Sequence, residues 1–347
     1  MSRRLNIVAL EILEGCNLFC DFCVRNAMHS LTNKIKIENL EKLIMMLDEF
    51  PEKPEIAITG GEPFLQQNLY EILNKVIEYG FRFSITTNAT IINKDVISLL
   101  KSTKLFKHFI ISIDSSIPET HDSIRGPKAF FRSMRFIEYI KERKIPFAIN
   151  MTVSDKNYLD VSNTIQFAKE IGAKDISVAT VKPNGRGEAT FNKEQLDVIA
   201  MQILENKYTI SDSFKLWATD VTFFLYDMDE YRDDIRNGEF GSCSFGRGTL
   251  HVRANGDILG CTACEDMVLG NAFESDERTY LLNIWNEHRL LADVRSKKLL
   301  KGTCKSCEFV KFCGGCRCRA YGVSGDLFAA DPYCPIVMEK EKESIIQ

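Results

Sequence analysis

The cysteines are the residues of this sequence best suited to do chemistry, and their placement indicates metal binding. Cys16, Cys20 and Cys23 lie on one short loop directly after the first apolar segment. Three thiolates at this spacing can hold three irons of a [4Fe–4S] cube and leave the fourth iron open. An open coordination position is typical of a catalytic rather than a structural metal site. Zinc held by the same thiolates and His29 is the alternative.

Nine further cysteines form a second field toward the carboxyl end of the chain. They suffice for two fully ligated cubane clusters, which need eight thiolates, with one cysteine left over. A pair of structural zinc sites is the alternative, since C-x2-C repeats have that meaning in isolation. The nine are Cys243, Cys261, Cys264, Cys304, Cys307, Cys313, Cys316, Cys318 and Cys334.

Composition and charge argue against several classes of protein and partner. The 347 residues are 45% hydrophobic and 27% charged, as in ordinary globular proteins. The net charge of −4 provides no basic surface for nucleic acid or an anionic membrane. Glu11 and Glu14 interrupt the apolar start, so a signal peptide is not indicated, and no apolar run reaches transmembrane length. We therefore expect a cytoplasmic protein, in which clustered cysteines usually hold metal.

The elements that must position these cysteines alternate between strands and helices over residues 5–208. Most predicted strands are near-continuous runs of Ile, Val, Phe and Ala, which is typical of a parallel sheet buried on both faces. The helices between them have apolar residues at three-and-four spacing, as at Leu40, Leu43 and Leu47. This pattern predicts an α/β sheet, either a partial barrel or an open doubly wound sheet, with functional residues at the carboxyl ends of strands. The predicted strands are Leu5–Ile12, Glu55–Thr59, Arg82–Thr87, Lys107–Ile113, Pro146–Val153 and Asp175–Thr180.

The rest of the chain divides into a linker and a cysteine-rich region. Residues 209–242 have mixed character, and their acidic run from Asp227 to Asp234 is interpreted as a solvated helix or loop. Beyond them, Thr249–Arg253, Asn255-Gly256 and Asp257–Leu259 predict a β-hairpin. So poorly hydrophobic a segment needs metal to hold it together. The predicted organisation is a core domain over residues 1–208, a linker over 209–242 and a small metal-binding domain over 243–347.

The loop of three cysteines resembles the signature of the radical S-adenosylmethionine (SAM) enzymes. Its spacing is C-x3-C-x2-C, Phe22 precedes the last cysteine, and the loop follows the first strand. The resemblance implies that Cys16, Cys20 and Cys23 hold a [4Fe–4S] cluster whose open iron is chelated by SAM. It implies that the reduced cluster splits SAM into methionine and a 5′-deoxyadenosyl radical, which abstracts a substrate hydrogen. A low-potential electron donor such as ferredoxin or flavodoxin is implied as a partner.

Segments at the ends of later strands resemble the same family in the right order. Gly60–Pro63 is similar to its GGEP motif, in which glycines permit close backbone approach and a carboxylate complements the SAM ammonium group. Ala89 departs from the glycine that often ends the family's Thr-Asn-Gly segment, while Pro183–Arg186 after the sixth strand fits the pattern. The resemblance makes a partial (β/α)6 TIM-like barrel the preferred fold of the core. The residues it assigns to SAM binding are Phe22, Gly60, Gly61, Glu62, Pro63, Asn88, Ser112, Asp114, Arg125 and Asn150.

The second cysteine field resembles the SPASM extension of radical SAM enzymes, which typically carries two auxiliary iron–sulfur clusters. The matching spacings are C-x2-C-x5-C from Cys304 and C-x12-G-x4-C from Cys243. Together with the first loop, they favour iron–sulfur over zinc, with three [4Fe–4S] clusters and SAM as the cofactors. The ligands implied for the distal auxiliary cluster are Cys304, Cys307, Cys313 and Cys334. Those implied for the proximal cluster are Cys243, Cys261 and Cys316, with Cys264 as the fourth.

One position in this field departs from the SPASM pattern. Where many members have a three-residue gap after the third cysteine, this chain reads Cys313-Gly-Gly-Cys316-Arg-Cys318. Either Cys316 or Cys318 can be the ligand, and the other is then a free thiol. We interpret a free Cys318 as an inert buried thiol, with hydrogen-atom donation, as in some peptide epimerases of the superfamily, as the alternative.

Members with this extension modify peptides and proteins, and some act on tetrapyrroles. We predict a peptide or small-protein substrate that undergoes thioether or carbon–carbon crosslinking, epimerisation or oxidation. Tetrapyrrole side-chain oxidation or decarboxylation is the alternative, because the segment from Cys313 to Cys334 resembles haem-pathway radical enzymes as well as peptide maturases. A multi-cluster electron-transfer protein is the alternative that is not an enzyme. Thr262 stands where sulfatase-maturing members usually carry Asp, which argues against that activity. Because 15 residues precede Cys16, we expect either a separate leader-binding protein as a partner or a substrate that is recognised without one.

Overall fold

A computed structural model describes residues 4–29, 33–188, 191–207, 214–228 and 243–346. A single ten-stranded sheet runs through the α/β core and into the cysteine-rich region. Its strands are β1 (Ile7–Glu11), β2 (Glu55–Thr59), β3 (Phe83–Thr87), β4 (Phe106–Ser112), β5 (Phe147–Val153), β6 (Asp175–Thr180), β7 (Lys215–Ala218), β8 (Thr249–Val252), β9 (Asp257–Leu259) and β10 (Val268–Asn271).

Strands β1 to β7 lie side by side in sequence order, and all pair in parallel. A doubly wound sheet reverses its strand order near the middle, whereas a chain that always winds in one direction keeps successive strands as neighbours, as in a barrel. The observed order therefore selects the partial barrel and confirms the expected fold class. All six predicted strands are present, with ends that shift by at most two residues.

Helices connect the parallel strands and pack apolar faces against them. In the first helix Leu40, Leu43 and Leu47 are fully buried, as the three-and-four spacing predicts. No helix in the described part of the chain has both the length and the apolar composition needed to cross a bilayer. The helices are α1 (Ile37–Asp48), α2 (Leu69–Glu78), α3 (Lys94–Ser102), α4 (Pro118–Arg125), α5 (Ala129–Glu142), α6 (Val161–Glu170), α7 (Lys193–Lys207), α8 (Tyr280–Glu287), α9 (Arg289–Ser296), α10 (Gly302–Lys305), α11 (Arg317–Ser324) and α12 (Pro335–Ile346).

The described part of the predicted linker belongs to the sheet. Residues 215–218 form β7, which extends the parallel core by a seventh strand beside β6. The next residues form a short 3-10 turn, in which Phe223 and Phe224 are buried. Of the predicted acidic run, Asp227 and Met228 lie within the described residues and the remainder lies outside them.

The cysteine-rich region is joined to the core through the opposite side of the same sheet. β8 and β9 form the predicted antiparallel hairpin, whose turn places Gly256 at φ +95°, a backbone conformation that favours glycine. β8 also pairs in parallel with β1, from Ile7 opposite Thr249 to Leu10 opposite Val252. The strand that leads into the first cysteine loop therefore has a neighbour from the cysteine-rich region.

Candidate active site

The first cysteine loop follows β1, and its three thiols face one cavity. Cys16, Cys20 and Cys23 all line this cavity, which has a volume of about 240 Å³. Backbone amides of the loop donate to two of the sulfurs, from Leu18 to Cys16 and from Ala27 to Cys23, both at 3.4 Å. Burial raises the pKa of the Cys16 thiol to about 12. Uptake of iron that replaces the proton relieves this cost, because a coordinating thiol is deprotonated by its metal.

Arg186, from the turn after β6, holds this loop in place. Its Nε donates to the Cys20 carbonyl oxygen at 2.8 Å, and its Nη1 donates to the Ala27 carbonyl oxygen at 2.9 Å. Its guanidinium also stacks on the Phe19 ring, 3.9 Å from the centroid. A Cβ on neighbouring Gly185 would lie 2.6 Å from the Val24 carbonyl oxygen, so the turn and the loop are in direct contact. Arg186 belongs to the segment Pro183–Arg186 that fits the family pattern, but the sequence predicted no role for its side chain.

Gly60 and Gly61 lie at the cavity, at the carboxyl end of β2. The Gly61 amide donates to the Leu13 carbonyl oxygen at 2.8 Å. A Cβ on Gly61 would overlap the carbonyl of Gly15, immediately before the first cysteine. The glycine pair is therefore required for the close approach of this backbone to the segment that carries Cys16.

Glu62 is not among the residues that line the cavity, and the contact expected between its carboxylate and the SAM ammonium group stays a prediction. The side chain is fully buried and accepts hydrogen bonds from the Thr87 hydroxyl at 2.7 Å, the Asn88 amide at 2.8 Å and the Phe64 amide at 3.1 Å. Burial raises its pKa to about 7, against the effect of these three donors. Pro63 is also buried and begins a 3-10 turn. Glu62 thus ties the glycine loop to the end of β3.

Polar side chains from the ends of three further strands complete the cavity wall. The Nδ2 atom of Asn88 lies 3.0 Å from the Asn17 side-chain oxygen and 3.7 Å from the Cys16 Sγ atom. Ser112 and Asn150 are paired in register on β4 and β5, so both reach the cavity at the same level. Phe22 contributes an aromatic ring from the cysteine loop. Hydroxyl and amide groups at these positions suit the hydrogen-bonding groups of a nucleoside and an amino acid.

Arg125 provides a cation at the cavity, and Asp114 holds it there. Arg125 Nη1 lies 4.0 Å from Cys20 Sγ, while its Nε and Nη2 donate to the Asp114 carboxylate. Asp114 is fully buried, does not line the cavity, and also accepts from the Thr152 amide at 2.9 Å. Burial disfavours the Arg125 charge, yet Asp114 keeps the pKa of the guanidinium above its usual range. Arg125 therefore remains a cation suited to a carboxylate ligand.

One ion-pair group at the cavity was not assigned from the sequence. Arg25, within the cysteine loop, pairs with Glu11 at 3.1 Å and with Glu265 of the cysteine-rich region at 3.0 Å. Glu11 and Arg25 both line the cavity, together with Thr262. Burial raises the pKa of Glu11 to about 7, opposed by Arg25. The sequence signal for this ion pair was Glu11, a carboxylate at the end of β1 that interrupts the apolar pattern of the strand.

The zinc alternative at the first loop has no geometric support. The Nδ1 atom of His29 lies 3.1 Å from the Cys16 carbonyl oxygen, so the imidazole contacts the backbone of the loop. Among the described residues, no three Cys, His, Asp or Glu side chains converge closely enough to share one metal ion. A cubane cluster spreads its ligands over several irons and needs no such convergence. The three thiols around one cavity fit the cluster better than a single ion.

The structure brings the four predicted distal cysteines together around a small apolar cavity. This cavity lies between the 3-10 turn of residues 223–226, α10 with the loop that follows it, and the start of α12, with Phe224 and Phe309 among its walls. Burial raises the pKa of the Cys304, Cys313 and Cys334 thiols, to about 12 for Cys334. Four thiols with apolar walls fit a fully ligated cluster shielded from solvent. The thiols are Cys304, Cys307, Cys313 and Cys334.

The predicted proximal cysteines form a separate group. The Cys243 thiol donates to Cys316, which lowers the Cys316 pKa to about 6, against burial and with help from Lys182 and Arg319. Burial raises the pKa of the Cys261 thiol to about 11, while Lys182 opposes this rise. Thr262, the residue after Cys261, lines the cavity of the first cysteine loop, so this group adjoins that cavity.

Cys264 and Cys318 are paired as a disulfide in this structure, and both are fully buried. A cysteine in a disulfide offers no thiolate, so Cys264 could act as the fourth proximal ligand only from the reduced pair. Cys318, expected as an inert buried thiol, is buried as expected but has Cys264 as its partner. The ligand role of Cys264 stays a prediction.

Comparison with known proteins places these features in a family. Residues 10–168 match the radical SAM superfamily, and residues 243–308 match SPASM, an iron–sulfur cluster-binding domain. The chain is 30% identical to the AdoMet-dependent heme synthase of Methanosarcina barkeri, over 96% of this chain and 97% of that protein. It is 28% identical to the PqqA peptide cyclase of Ruegeria pomeroyi, over 93% of this chain and 85% of that protein.

A solved structure has the same fold at lower identity. SuiB of Streptococcus suis, bound to its precursor peptide SuiA, superposes with a TM-score of 0.78 at 20% identity, and the match covers 96% of this chain and 76% of SuiB. The order of motifs along the barrel, the cysteine groups and these similarities agree with one another. The chain belongs to the radical SAM superfamily of enzymes and carries a SPASM-type iron–sulfur cluster-binding domain.

Proposed function

We propose that this enzyme holds a [4Fe–4S] cluster on Cys16, Cys20 and Cys23, cleaves SAM reductively at that cluster, and abstracts hydrogen from a peptide substrate. The observation that carries the first part is the single cavity that these thiols share with the polar ends of β2 to β5. Such a site offers an open metal position and groups for an amino acid and a nucleoside on the same wall. When bound, the cluster supplies the electron that splits SAM into methionine and a 5′-deoxyadenosyl radical.

The chain's own residues bind and orient SAM. Gly60 and Gly61 line the cavity and, because they lack side chains, pack closely on the segment before Cys16, so their backbone is available to the amino-acid end of SAM. Arg125, fixed by Asp114, provides a cation for the carboxylate. Ser112 and Asn150 offer hydrogen bonds to hydroxyl groups of the nucleoside. A low-potential donor such as ferredoxin or flavodoxin would supply the electron.

Two auxiliary [4Fe–4S] clusters complete the proposed enzyme. The four distal thiols share one apolar cavity, which supports a closed cluster there. The proximal group has Cys243, Cys261 and Cys316 as its available thiols, with Cys264 joining them when the disulfide with Cys318 is reduced. With the first cluster, the expected content is three clusters, or about twelve irons per chain.

The substrate is proposed to deliver one side chain into the cavity mouth. SAM itself must occupy the cavity of about 240 Å³, so little of that volume remains for a second whole molecule. A peptide meets this requirement, because it can lie outside and insert a single residue. The peptide named in the SuiB structure and the PqqA peptide cyclase of Ruegeria support this choice. Crosslinking, epimerisation and oxidation all begin with such a hydrogen abstraction, and a separate leader-binding protein would present the peptide.

A tetrapyrrole is the second candidate substrate. The similarity to the heme synthase of Methanosarcina barkeri favours it, at 30% identity and with nearly the full length of both chains covered. A tetrapyrrole would lie across the cavity mouth and insert one peripheral side chain. The chemistry at the cysteine loop would be the same, since in both cases a carbon-bound hydrogen is transferred to the 5′-deoxyadenosyl radical.

SAM cleavage is tested with anaerobically reconstituted enzyme and dithionite. We expect about twelve irons per chain and formation of 5′-deoxyadenosine and methionine. The triple variant of Cys16, Cys20 and Cys23 to Ala should lose about four irons and all cleavage, while it keeps the absorption of the auxiliary clusters. Cluster-replete wild-type enzyme that leaves SAM intact, or protein that takes up zinc but no iron, would refute the proposed function.

Deuterium transfer distinguishes the two substrates. Uniformly deuterated peptides, chosen from those encoded beside this gene, and a deuterated iron tetrapyrrole with propionate side chains are each incubated with the enzyme and SAM. Deuterium in the 5′-deoxyadenosine produced identifies the compound that lost hydrogen. Label from a peptide supports the proposal, whereas label from the tetrapyrrole alone replaces the peptide by the second candidate.

A further inference from the structure

Helix α11 begins with two buried arginines, and side chains of the protein compensate the charge of only one of them. Arg319 is 1% exposed and pairs with Asp220 at 2.6 Å and with Asp331 at 2.8 Å. Arg317 is 3% exposed, and no carboxylate in the described part of the chain lies within ion-pair distance of it. Asp331 is close by, but both of its carboxylate oxygens accept from Arg319. Because a buried charge without a partner is costly, Arg317 requires a counter-charge from elsewhere.

Backbone carbonyls fix the Arg317 guanidinium without neutralising it. Its Nη1 donates to the Leu327 carbonyl oxygen at 2.9 Å and to the Ala329 carbonyl oxygen at 2.8 Å, and its Nε lies 3.5 Å from the Gly315 carbonyl oxygen. Its Nη2 is buried and has no hydrogen-bond partner among the described residues. The side chain therefore retains its full positive charge and one nitrogen whose hydrogens are free to be donated.

This free nitrogen lies at the wall of the cavity that the four distal cysteines share, which we call the distal cavity. Gly315 lines the distal cavity, and its amide donates to the Cys313 sulfur at 3.3 Å. A Cβ on Gly315 would lie 2.8 Å from Arg317 Nη2. The guanidinium and the Cys313 sulfur are therefore both neighbours of one glycine.

The distal cavity is suited to an anion only if a cation stands beside it. A fully ligated [4Fe–4S] cluster carries net negative charge in both redox states, because its four thiolates outweigh the charge of the core. The walls include Phe224, Phe309, Val310 and Ile336, and no Lys, Arg or His is among the described residues that line them. Charges in such apolar surroundings interact strongly. Arg317 and a cluster in the distal cavity each supply the counter-charge that the other lacks.

We propose that Arg317 is the counterion of the distal auxiliary cluster and raises its reduction potential. This inference rests on the proposed function, which places a cluster on the four distal cysteines. Reduction adds one negative charge to the cluster, so a fixed cation nearby stabilises the reduced form more than the oxidised form. Arg317 has this effect through its charge and its free N–H groups, without binding iron.

The test is an anaerobic redox titration of the loaded enzyme, with detection by electron paramagnetic resonance. Arg317→Gln removes the charge but keeps an amide donor for the backbone carbonyls. It should make the distal midpoint potential more negative by about 59 mV, which is a tenfold change in a one-electron equilibrium. Arg317→Lys keeps the charge and should restore most of this midpoint. Cys307→Ala identifies the distal signal by its loss.

Lys297→Met is the matched control, because Lys297 is a second cation near the distal cavity but is partly exposed. A Cβ on Gly314, which lines the distal cavity, would lie 3.7 Å from Lys297 Cδ. The Lys297 ammonium donates to the Lys311 carbonyl oxygen at 2.7 Å. Since water screens an exposed charge, Lys297→Met should move the distal midpoint less than Arg317→Gln does.

The outcomes separate this inference from the proposed function. A distal midpoint that falls in Arg317→Gln and recovers in Arg317→Lys supports the counterion role. Loss of about four irons from Arg317→Gln but not from Arg317→Lys also supports it, because the charge is then needed to hold the cluster. The inference is overturned by an unchanged distal midpoint in cluster-replete Arg317→Gln, by an equal shift in Lys297→Met, or by equal iron loss from both Arg317 variants. A wild-type enzyme that fails to load three clusters contradicts the proposed function instead, and iron analysis of the same samples reveals this.

Discussion

The charge of Asp114 should be needed for stability only while Arg125 is present. Asp114 is fully buried, and its carboxylate accepts from Arg125 and from the Thr152 amide. Asp114→Asn keeps an oxygen for the Thr152 amide but leaves the guanidinium without its counterion. Loss of one partner of a buried pair costs about 3–5 kcal/mol, whereas replacement of both is often close to neutral. We therefore expect the free energy of unfolding to fall by about 3–5 kcal/mol in Asp114→Asn.

A double-mutant cycle makes this expectation quantitative. Arg125→Met should also destabilise, because it leaves the Asp114 carboxylate buried and unpaired. The double variant Asp114→Asn/Arg125→Met should recover most of the loss, since no uncompensated charge remains. All three variants should lose SAM cleavage, because each removes or releases the cation next to Cys20. Stability and activity would thus separate in the double variant.

Anaerobic urea unfolding followed by circular dichroism gives the stabilities, and 5′-deoxyadenosine formation gives the activities. Lys156→Met is the matched control: it breaks the ion pair with Asp21 on the same cysteine loop, where both side chains are nearly half exposed. A pair so exposed is worth about 0–1 kcal/mol. A double variant as unstable as the single ones, or Asp114→Asn no less stable than Lys156→Met, would refute the reasoning.

Three further predictions concern the glycine loop, its carboxylate and the paired cysteines. Burial raises the Glu62 pKa from 4.5 to about 7, so its protonation contributes stability that is complete below pH 4.5 and is lost as the pH rises to about 7. At 1.36 kcal/mol per pKa unit, this contribution amounts to about 3 kcal/mol. The difference in free energy of unfolding between Glu62→Gln and wild type should therefore change by about 3 kcal/mol between pH 4.5 and pH 8. A difference that stays constant over this pH range would contradict the prediction. Gly61→Ala should abolish SAM cleavage, because the new methyl group overlaps the Gly15 carbonyl. Gly80→Ala is the control and should retain cleavage, because Gly80 has a positive φ but has open space around it. An active Gly61→Ala enzyme would contradict this prediction. Cys264→Ala should lose about four irons and Cys318→Ala none, and the reverse result would transfer the ligand role to Cys318.

The fold was predictable from the sequence because parallel strands buried on both faces have a strong apolar signal. The six core strands are short runs of Ile, Val, Phe and Ala that stop at polar residues, and the structure ends them within two residues of the prediction. β7 has no such signal: Lys215–Ala218 has only four residues and begins with a lysine, and Trp217 is 50% exposed. Its strand conformation depends on pairing with β6, a contact that periodicity within one segment does not encode.

The site was predictable as a set of positions but not as a set of side-chain directions. Motifs at strand ends located the cavity, yet Glu62 and Asp114 do not line it and instead accept hydrogen bonds from Asn88 and Arg125. Both are carboxylates in a polar segment, and which way such a side chain turns depends on donors from other strands. Arg186 contacts Cys20 in the first cysteine loop, 166 residues earlier in the chain, so its role is visible only in the folded barrel.

The sheet also shows why the two halves of the chain are expected to act as one unit. β8 pairs with β1 along four residues, directly before the loop that carries Cys16. Arg25 within that loop pairs with Glu265, and Arg319 bonds to Thr180 at the end of β6. The cysteine-rich region is therefore attached at both sides of the barrel mouth. A core cut off in the predicted linker would expose one edge of β1 and leave Arg25 without one of its carboxylates, so the SAM site depends on contacts that lie beyond the barrel itself.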